Sequence, residues 1–334
     1  MLVTMIVPTG IGAEIGGHSG DATSAAHLLA AACDRLILHP NVVNASDFTE
    51  QPANSLYVEG SMLNAFLRGD IRLQPVRKNH ILVVCNEAGR DTVNAVNALR
   101  SLVGITAEIL VLHKPLTMSG RINEATRSAT GSISGIESLV DQIGYYQFDA
   151  LAVHTPVQVE TAVAENYVNH GGINPWGGVE ARLSKELYWR TGKPNAHAPV
   201  EGREGYEYGV TDPRLAPEMI CAAHLGCVLR GLHKAPRPTI STAPGTIGVE
   251  DLDVLVSPLC WGAPHKICRD KGIPMIFVEE NQTVQTSAWR DNFEASDGYV
   301  VRNYIEAAGL LLLLRTGRSI ESVTRPLDSV IIHE

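Results

Sequence analysis

Three apolar runs end in the same way, with a histidine and then a proline within two residues: LILHP at 36–40, LVLHKP at 110–115 and LAVHTP at 151–156. Two further runs end at or just before a thiol, VVCNEAG around Cys85 and VSPLCWGAPH around Cys260. If these runs are parallel strands, His39, Cys85, Glu87, His113, His154, Cys260 and Glu279 rise to one rim, and ligands of open parallel sheets bind outside that rim. A thiol beside a helix start has a lowered pKa and serves as a base or nucleophile. Two of them on opposite faces of a carboxylate substrate would move a proton at carbon, as a racemase, isomerase or lyase does. The candidate catalytic residues are therefore Cys85, Cys260, Glu87, His113 and His154. Taken singly, each has a blander role open to it: strand-end histidines cap backbone groups, and buried cysteines are inert small hydrophobes.

Two glycine loops offer a place to bind. PTGIGAEIGGHSGDATSAA, residues 8–26, follows the first apolar run and precedes an alanine- and leucine-rich segment. Glycine at a strand's end admits positive φ and close backbone approach, and free N–H groups ahead of a helix attract anions. The spacing of Gly10, Gly12, Gly16 and Gly17 is neither a dinucleotide fingerprint nor a P-loop. It predicts an anion cradle, with Thr9, Glu14 and His18 nearby, against the alternative of a structural loop. The second loop, GGINPWGGVEA at 171–181, places Asn174-Pro175 at a helix start. Trp176 there could cover a ligand, Gly177 and Gly178 would leave N–H groups unshielded, and Glu180 follows one turn in. A tight packing turn with Trp176 in the core is the equal alternative.

Composition narrows the class. The chain has 334 residues, 45% of them apolar, and a net charge of −9 without a lysine- or arginine-rich block. A buried core is expected, and nucleic acid is not the expected partner. Six scattered cysteines (Cys33, Cys85, Cys221, Cys227, Cys260 and Cys268) form no CxxC pair, and no secretory signal is recognisable. Reduced thiols and a cytoplasmic location are the expectation. The apolar run 307–314 stops at Arg315, short of the roughly 20 residues of a membrane span. No HExxH or CxxC spacing occurs, so no metal site is expected, and no GxSxG elbow supports a Ser-His-Asp hydrolase. The rim residues His39, His113, His154, Glu87 and Glu279 leave a mixed N/O metal set as the competing idea.

These residues need elements to hold them. Residues 1–7, 35–39, 80–85, 107–113, 149–154, 252–257 and 273–279 are apolar throughout, as strands buried on both faces are. Helical segments are expected at 22–34, 91–103, 123–144, 216–233 and 299–315. Strand and helix in alternation predict an α/β fold, a mainly parallel sheet flanked by helices. Strands 1–7, 80–85, 107–113, 149–154 and 252–257 are expected in one sheet. The Gly- and Pro-rich region 157–250 interrupts the alternation and is expected as an inserted cap between core parts 1–156 and 251–334.

The strings PTGIGAEIGGHSGDAT, HPNVVNASD, LYVEGSMLNAFLRG, GGINPWGGVEARLS and GKPNAHAPVE together resemble the DUF3326 family of cyanobacteria and related lineages. That resemblance implies no catalytic residues. The strings around Cys85 and Cys260 also resemble the paired CNT and GCTH motifs of cofactor-independent amino-acid racemases, with Glu87 and Trp261 where small polar residues stand in those motifs. The expected function is an enzyme acting on a small anionic metabolite, a carboxylate or phosphate, between the two glycine loops. The alternatives are a non-catalytic metabolite- or cofactor-binding protein and a metal-dependent hydrolase. The sequence names no cofactor, implies no membrane partner and leaves a homo-oligomer open.

Overall fold

Each of the seven apolar runs expected as strands contains a strand, and the run 307–314 lies in a helix. The computed structural model describes residues 1–18, 20–43, 51–200, 210–220 and 224–333. In chain order the first part holds β1 (Leu2–Met5), α1 (Thr23–Ala32), β2 (Arg35–Leu38), α2 (Pro40–Val43), β3 (Ser55–Tyr57), α3 (Gly60–Arg68) and β4 (Arg72–Gln74). The middle holds β5 (His80–Cys85), α4 (Arg90–Leu102), β6 (Thr106–Val111), β7 (Thr117–Asn123), β8 (Ser128–Ser134), α5 (Ile136–Ile143) and β9 (Ala150–Thr155). It continues through β10 (Val157–Gln158), α6 (Thr161–His170), α7 (Gly177–Thr191), β11 (Asn195–Pro199), α8 (Ala216–Ile220), α9 (His224–His233) and β12 (Arg237–Thr239). The last part holds β13 (Leu252–Pro258), α10 (Ala263–Lys271), β14 (Met275–Val278), α11 (Thr286–Asn292), β15 (Gly298–Val301) and α12 (Tyr304–Arg315).

The fold is α/β with parallel sheets, but the strands expected in one sheet divide between two. The first sheet has six strands in the order β15-β14-β13-β1-β2-β3, all parallel. The second has four, in the order β11-β9-β5-β6, again all parallel. Burial on both faces identifies a strand without naming its neighbours, so the sequence pattern is equally consistent with one sheet or two. Along β1, Val3 and Met5 enter a core cluster shared with Ile81 and Val83 of β5 and Leu229 and Leu232 of α9. Leu2 and Ile6 face a second cluster with Leu63, Phe66 and Phe277. The second sheet's far face packs Leu82 and Val153 on Leu183 and Leu187 of α7. Helices thus cover both faces of both sheets, and one apolar layer joins the two units.

Three more expectations change. The helix expected over 123–144 is a hairpin, β7 antiparallel to β8, followed by the short α5. Serine and threonine hydroxyls pair across it, Thr117 with Ser134 at 2.6 Å and Ser119 with Ser132 at 2.8 Å, and Arg127 turns the chain at a φ of 48°. The segment 299–315 opens as β15 before α12 begins. Region 157–250 is not set apart as a cap. It supplies β11, which pairs parallel with β9, and α9 in the shared core. Of the segment expected as one helix over 216–233, residues 221–223, with Cys221, lie outside the described residues. The chain therefore starts in the first unit, builds the second, and returns. β4 and β12, on the two crossings, pair antiparallel, and Leu73 bridges Ile247.

Two glycines test the shared layer. A Cβ on Gly231 of α9 would run into the Tyr57 ring, whereas one on Gly309 of α12 would meet nothing within 4 Å. Gly231→Ala should lower stability by about 1–3 kcal/mol through overpacking. Gly309→Ala should raise it by about 0.5–1 kcal/mol through helix propensity. Urea-unfolding midpoints that move together would contradict this packing.

Candidate functional site

The carboxyl ends of both sheets open on one cavity of about 860 Å³. Pro8 and Thr9 reach it after β1, His39 after β2, Glu59 after β3 and Cys260 after β13. From the second sheet come Pro156 and residues of β11. This is where open parallel sheets bind ligands. Trp176, Trp261 and Tyr167 supply aromatic wall.

Glu180 and His39, which line this cavity, have atoms left for a ligand. His197 of β11 is almost wholly enclosed, with 1% of its side chain exposed against 24% for Glu180. Its Nε2 lies 3.0 Å from the Thr155 carbonyl oxygen and its Nδ1 lies 2.7 Å from Glu180 Oε1. With Nδ1 on Glu180 and Nε2 within reach of both the Thr155 carbonyl and its hydroxyl, the latter at 3.2 Å, the ring is held in orientation and fixes one oxygen of Glu180. Glu180 sits in the first turn of α7 and lines the cavity. Its Oε2 has no protein hydrogen bond among the described residues. Across β2, His39 Nε2 accepts the Val7 N–H at 2.9 Å, which leaves the ring proton on Nδ1. Burial pulls its pKa down to about 4, so the ring is neutral.

Of the candidate catalytic set, only Cys260 lines the cavity. Its sulfur lies 3.5 Å from Ser257 Oγ and 3.9 Å from His265 Nε2. The trio resembles a nucleophile with its base, but the hydrogen bonds run the other way. Gly262 N–H donates to His265 Nδ1 at 3.0 Å, so Nε2 carries the proton and donates to Ser257 at 2.8 Å, and that hydroxyl donates to the Pro258 carbonyl. Burial pulls the His265 pKa down to about 3 and pushes the Cys260 thiol up to about 12. Both are neutral, and the imidazole has no lone pair for the thiol. Cys85 is fully buried in the second sheet, its thiol pKa also raised by burial, and its sulfur is 3.8 Å from the Leu110 carbonyl oxygen. The two thiols do not face each other across the cavity. His154 lies beside Cys85 in register, its Nδ1 donating to the Ala198 carbonyl at 2.9 Å, its pKa lowered by burial. Glu87 is exposed. His113 follows β6 on an exposed turn beside a separate cavity of about 280 Å³.

The glycine loops meet each other instead of cradling a ligand. A Cβ on Gly10 would lie 2.8 Å from that of Ala129, and one on Gly16 would press on Val7 and Ala22. One on Gly12 would lie 3.1 Å from Ile173, and one on Gly17 would overlap the Ala13 carbonyl oxygen. Gly177 takes the Thr9 hydroxyl against its bare Cα, and Gly178 takes the backbone of Ala129. Gly10 also accepts the Ala129 N–H at 2.8 Å. The missing side chains make room for protein. Asn174 Oδ1 already accepts from the N–H groups of Trp176 and Gly177. Thr9, Asn174 and Trp176 do line the cavity. His18 stands behind it, its Nδ1 2.6 Å from the Tyr167 hydroxyl.

Sequence reasoning passed over Tyr167 and Glu218, which line the cavity, and His197. His197 lies inside GKPNAHAPVE, a string quoted for its unusual residues and not for chemistry, and its single signal is a histidine facing inward from a short buried strand. Tyr167 donates to Glu218 at 3.3 Å and meets Trp176 edge-on at 5.6 Å. Among the described residues, no group of three or more His, Cys, Asp or Glu side chains could hold a metal ion.

A family model described as a protein of unknown function, DUF3326, matches residues 2–324. The chain belongs to the DUF3326 family. A relative from Synechococcus, named an uncharacterised lipoprotein, is 33% identical over 297 residues, covering 84% of this DUF3326 chain and 81% of its own. Among the described residues of this DUF3326 member, no helix is long and apolar enough to cross a membrane.

The neutral histidines give the site a pH signature. Burial, the largest cause in each, holds His18 and His39 at about 4 and His265 at about 3. Between pH 6.5 and 4 the unfolded chain binds these protons and the folded chain does not, so stability falls as pH falls. Each ring contributes at most about 1.4 kcal/mol per pH unit. Asp21, pushed up to about 7 by burial, and Glu59, also raised by burial, act in the opposite sense, while His154 and His233, lowered by burial, act with the three rings. The urea midpoint should be lower at pH 5 than at pH 7. A midpoint that rises would give Asp21 and Glu59 the larger weight.

Proposed function

We propose that this DUF3326 member is an enzyme that moves a proton at a carbon next to a carbonyl in a small metabolite held in the 860 Å³ cavity. The observation that carries the reading is that one cavity is lined both by a carboxylate anchored by a buried imidazole and by a neutral imidazole that has its N–H to give. Glu180 is the base. His197 fixes its Oε1, and Oε2 takes the proton from carbon. As the enolate forms, its oxygen needs a donor that will not surrender a full proton, and a neutral imidazole suits that task. His39 Nδ1–H is that donor. Return of the proton to either face or to a neighbouring carbon gives racemisation or isomerisation, and loss of a leaving group gives a lyase.

Glu180 replaces Cys85 and Cys260 in this reading, because burial keeps both thiols protonated. The anionic substrate expected from the glycine loops loses its main support, since protein fills the space beside those glycines. A non-catalytic metabolite-binding protein is the second reading, favoured by the apolar and aromatic stretches of the wall, including Trp176, Trp261 and Val228.

Proton NMR in deuterated water separates the two. Pyruvate, alanine, serine and aminoacetone would be followed for loss of the signal from hydrogen next to the carbonyl. Exchange is expected for at least one, falling about 10²–10⁴-fold in Glu180→Gln, the usual contribution of a general base. Cys85→Ser and Cys260→Ser should exchange at the parent rate. Saturable binding of a panel member without exchange would favour the binding protein.

A further inference from the structure

We infer that the ligand of this cavity carries a cationic amine, received beside Trp176 and Glu180, as well as the carbonyl that faces His39. The inference deepens the proposed proton transfer and rests on its choice of cavity.

The first support is what has happened to the helix starts. α3, α7 and α10 all begin at the cavity wall. Such starts attract anions through unpaired N–H groups, but here part of each start is already engaged. Glu59 accepts from Ser61 N–H at 2.8 Å and Met62 N–H at 3.1 Å. Asn174 holds the N–H groups of Trp176 and Gly177, and His265 holds that of Gly262. A carboxylate or phosphate arriving from solvent would find these donors taken.

The second support is the balance of charge. Among the described residues on the wall, Glu59, Glu180 and Glu218 are acidic, and Lys185, solvent-exposed on α7, is the single lysine or arginine. An anion placed here gives up water for a predominantly acidic surface, a combination that costs free energy on both counts. A cation reverses the Coulombic sign.

The third support is aromatic. Trp176 and Glu180 are four residues apart at the start of α7, on one helix face, and the Glu180 N–H bonds to the Trp176 carbonyl at 3.2 Å. Tyr167 stands edge-on to the indole and bonds to Glu218, and Asn174 Nδ2 reaches the same carboxylate at 3.5 Å. Carboxylates set around an indole are the surroundings in which ammonium groups are bound, by charge and by the ring face. With His39 Nδ1–H asking for an acceptor, the ligand class is an amino-carbonyl compound.

Three isosteres form the test: phenylalaninamide, phenyllactamide and phenyllactate, which are cationic, neutral and anionic at pH 6.5. Calorimetry on the full chain should give phenylalaninamide at least tenfold lower Kd than phenyllactamide, with phenyllactate weakest. Glu180→Gln should shrink the gap between the cationic and neutral compounds to within about threefold, at an unchanged melting temperature. Phenyllactate or phenyllactamide binding as tightly as phenylalaninamide to the parent protein would overturn the inference, as would no binding of phenylalaninamide up to 20 mM. Because calorimetry reads binding without turnover, the two proposals fail separately. Preference for the anion alongside Glu180-dependent exchange would remove the amine alone, and preference for the cation without exchange would remove proton transfer alone.

Discussion

Backbone touches backbone where the two units meet, and the site depends on that contact. Thr9 and Gly10, leaving β1, lie directly on Gly177 and Gly178 at the start of α7 and on Ala129 of the hairpin, tied by the Gly10–Ala129 hydrogen bond. The side chains at this contact are as short as those of Thr9 and Ala129, too short to act as flexible spacers. Packed interiors transmit displacement instead of absorbing it, so the distance between the two sheet rims is set here. β1 belongs to the first sheet and α7 covers the second. The same contact therefore fixes where Thr9 and Trp176 stand on the cavity wall.

Around the cavity the protein keeps its buried titratable groups uncharged wherever it can. His39, His265 and Cys260 are neutral because burial penalises their charged forms, and their remaining polar needs are met by backbone or by Ser257. Glu180 differs in being partly open to the cavity and held by His197. Glu180 is thus an anchored carboxylate among neutral donors and rings, and its geometry is not left to rotamer choice.

The strands were legible because burial on both faces leaves unbroken apolar runs, as in HILVVC and LDVLVS. Their grouping was not, since Val83 and Val254 read alike while belonging to different sheets. The hairpin at 117–134 escaped because Ser, Thr and Gly fill it, and its order comes from hydroxyl pairs and packing on α7. At the site, Thr9, Asn174, Trp176 and Cys260 were found from their places after strands or before helices. The role of Cys260 was misread because a nearby helix start lowers a thiol's pKa only if its N–H groups point to sulfur, and Gly262 N–H points to His265 instead. His197 depends on α7 folding back over β11, which no local pattern announces.

The first sheet is assembled from both ends of the chain, and that has a consequence during synthesis. β1 leaves the ribosome long before β13, its neighbour on one side, which begins at Leu252. At about 5–20 residues per second, the interval is roughly ten to fifty seconds. Through it, β2 covers one edge of β1 while the other presents bare N–H and C=O groups, an open template for wrong pairing. The second sheet suffers no such delay, because β5, β6, β9 and β11 emerge without interruption by strands of the first sheet. A strand that ends in the interior of the finished sheet thus spends its nascent life as an edge.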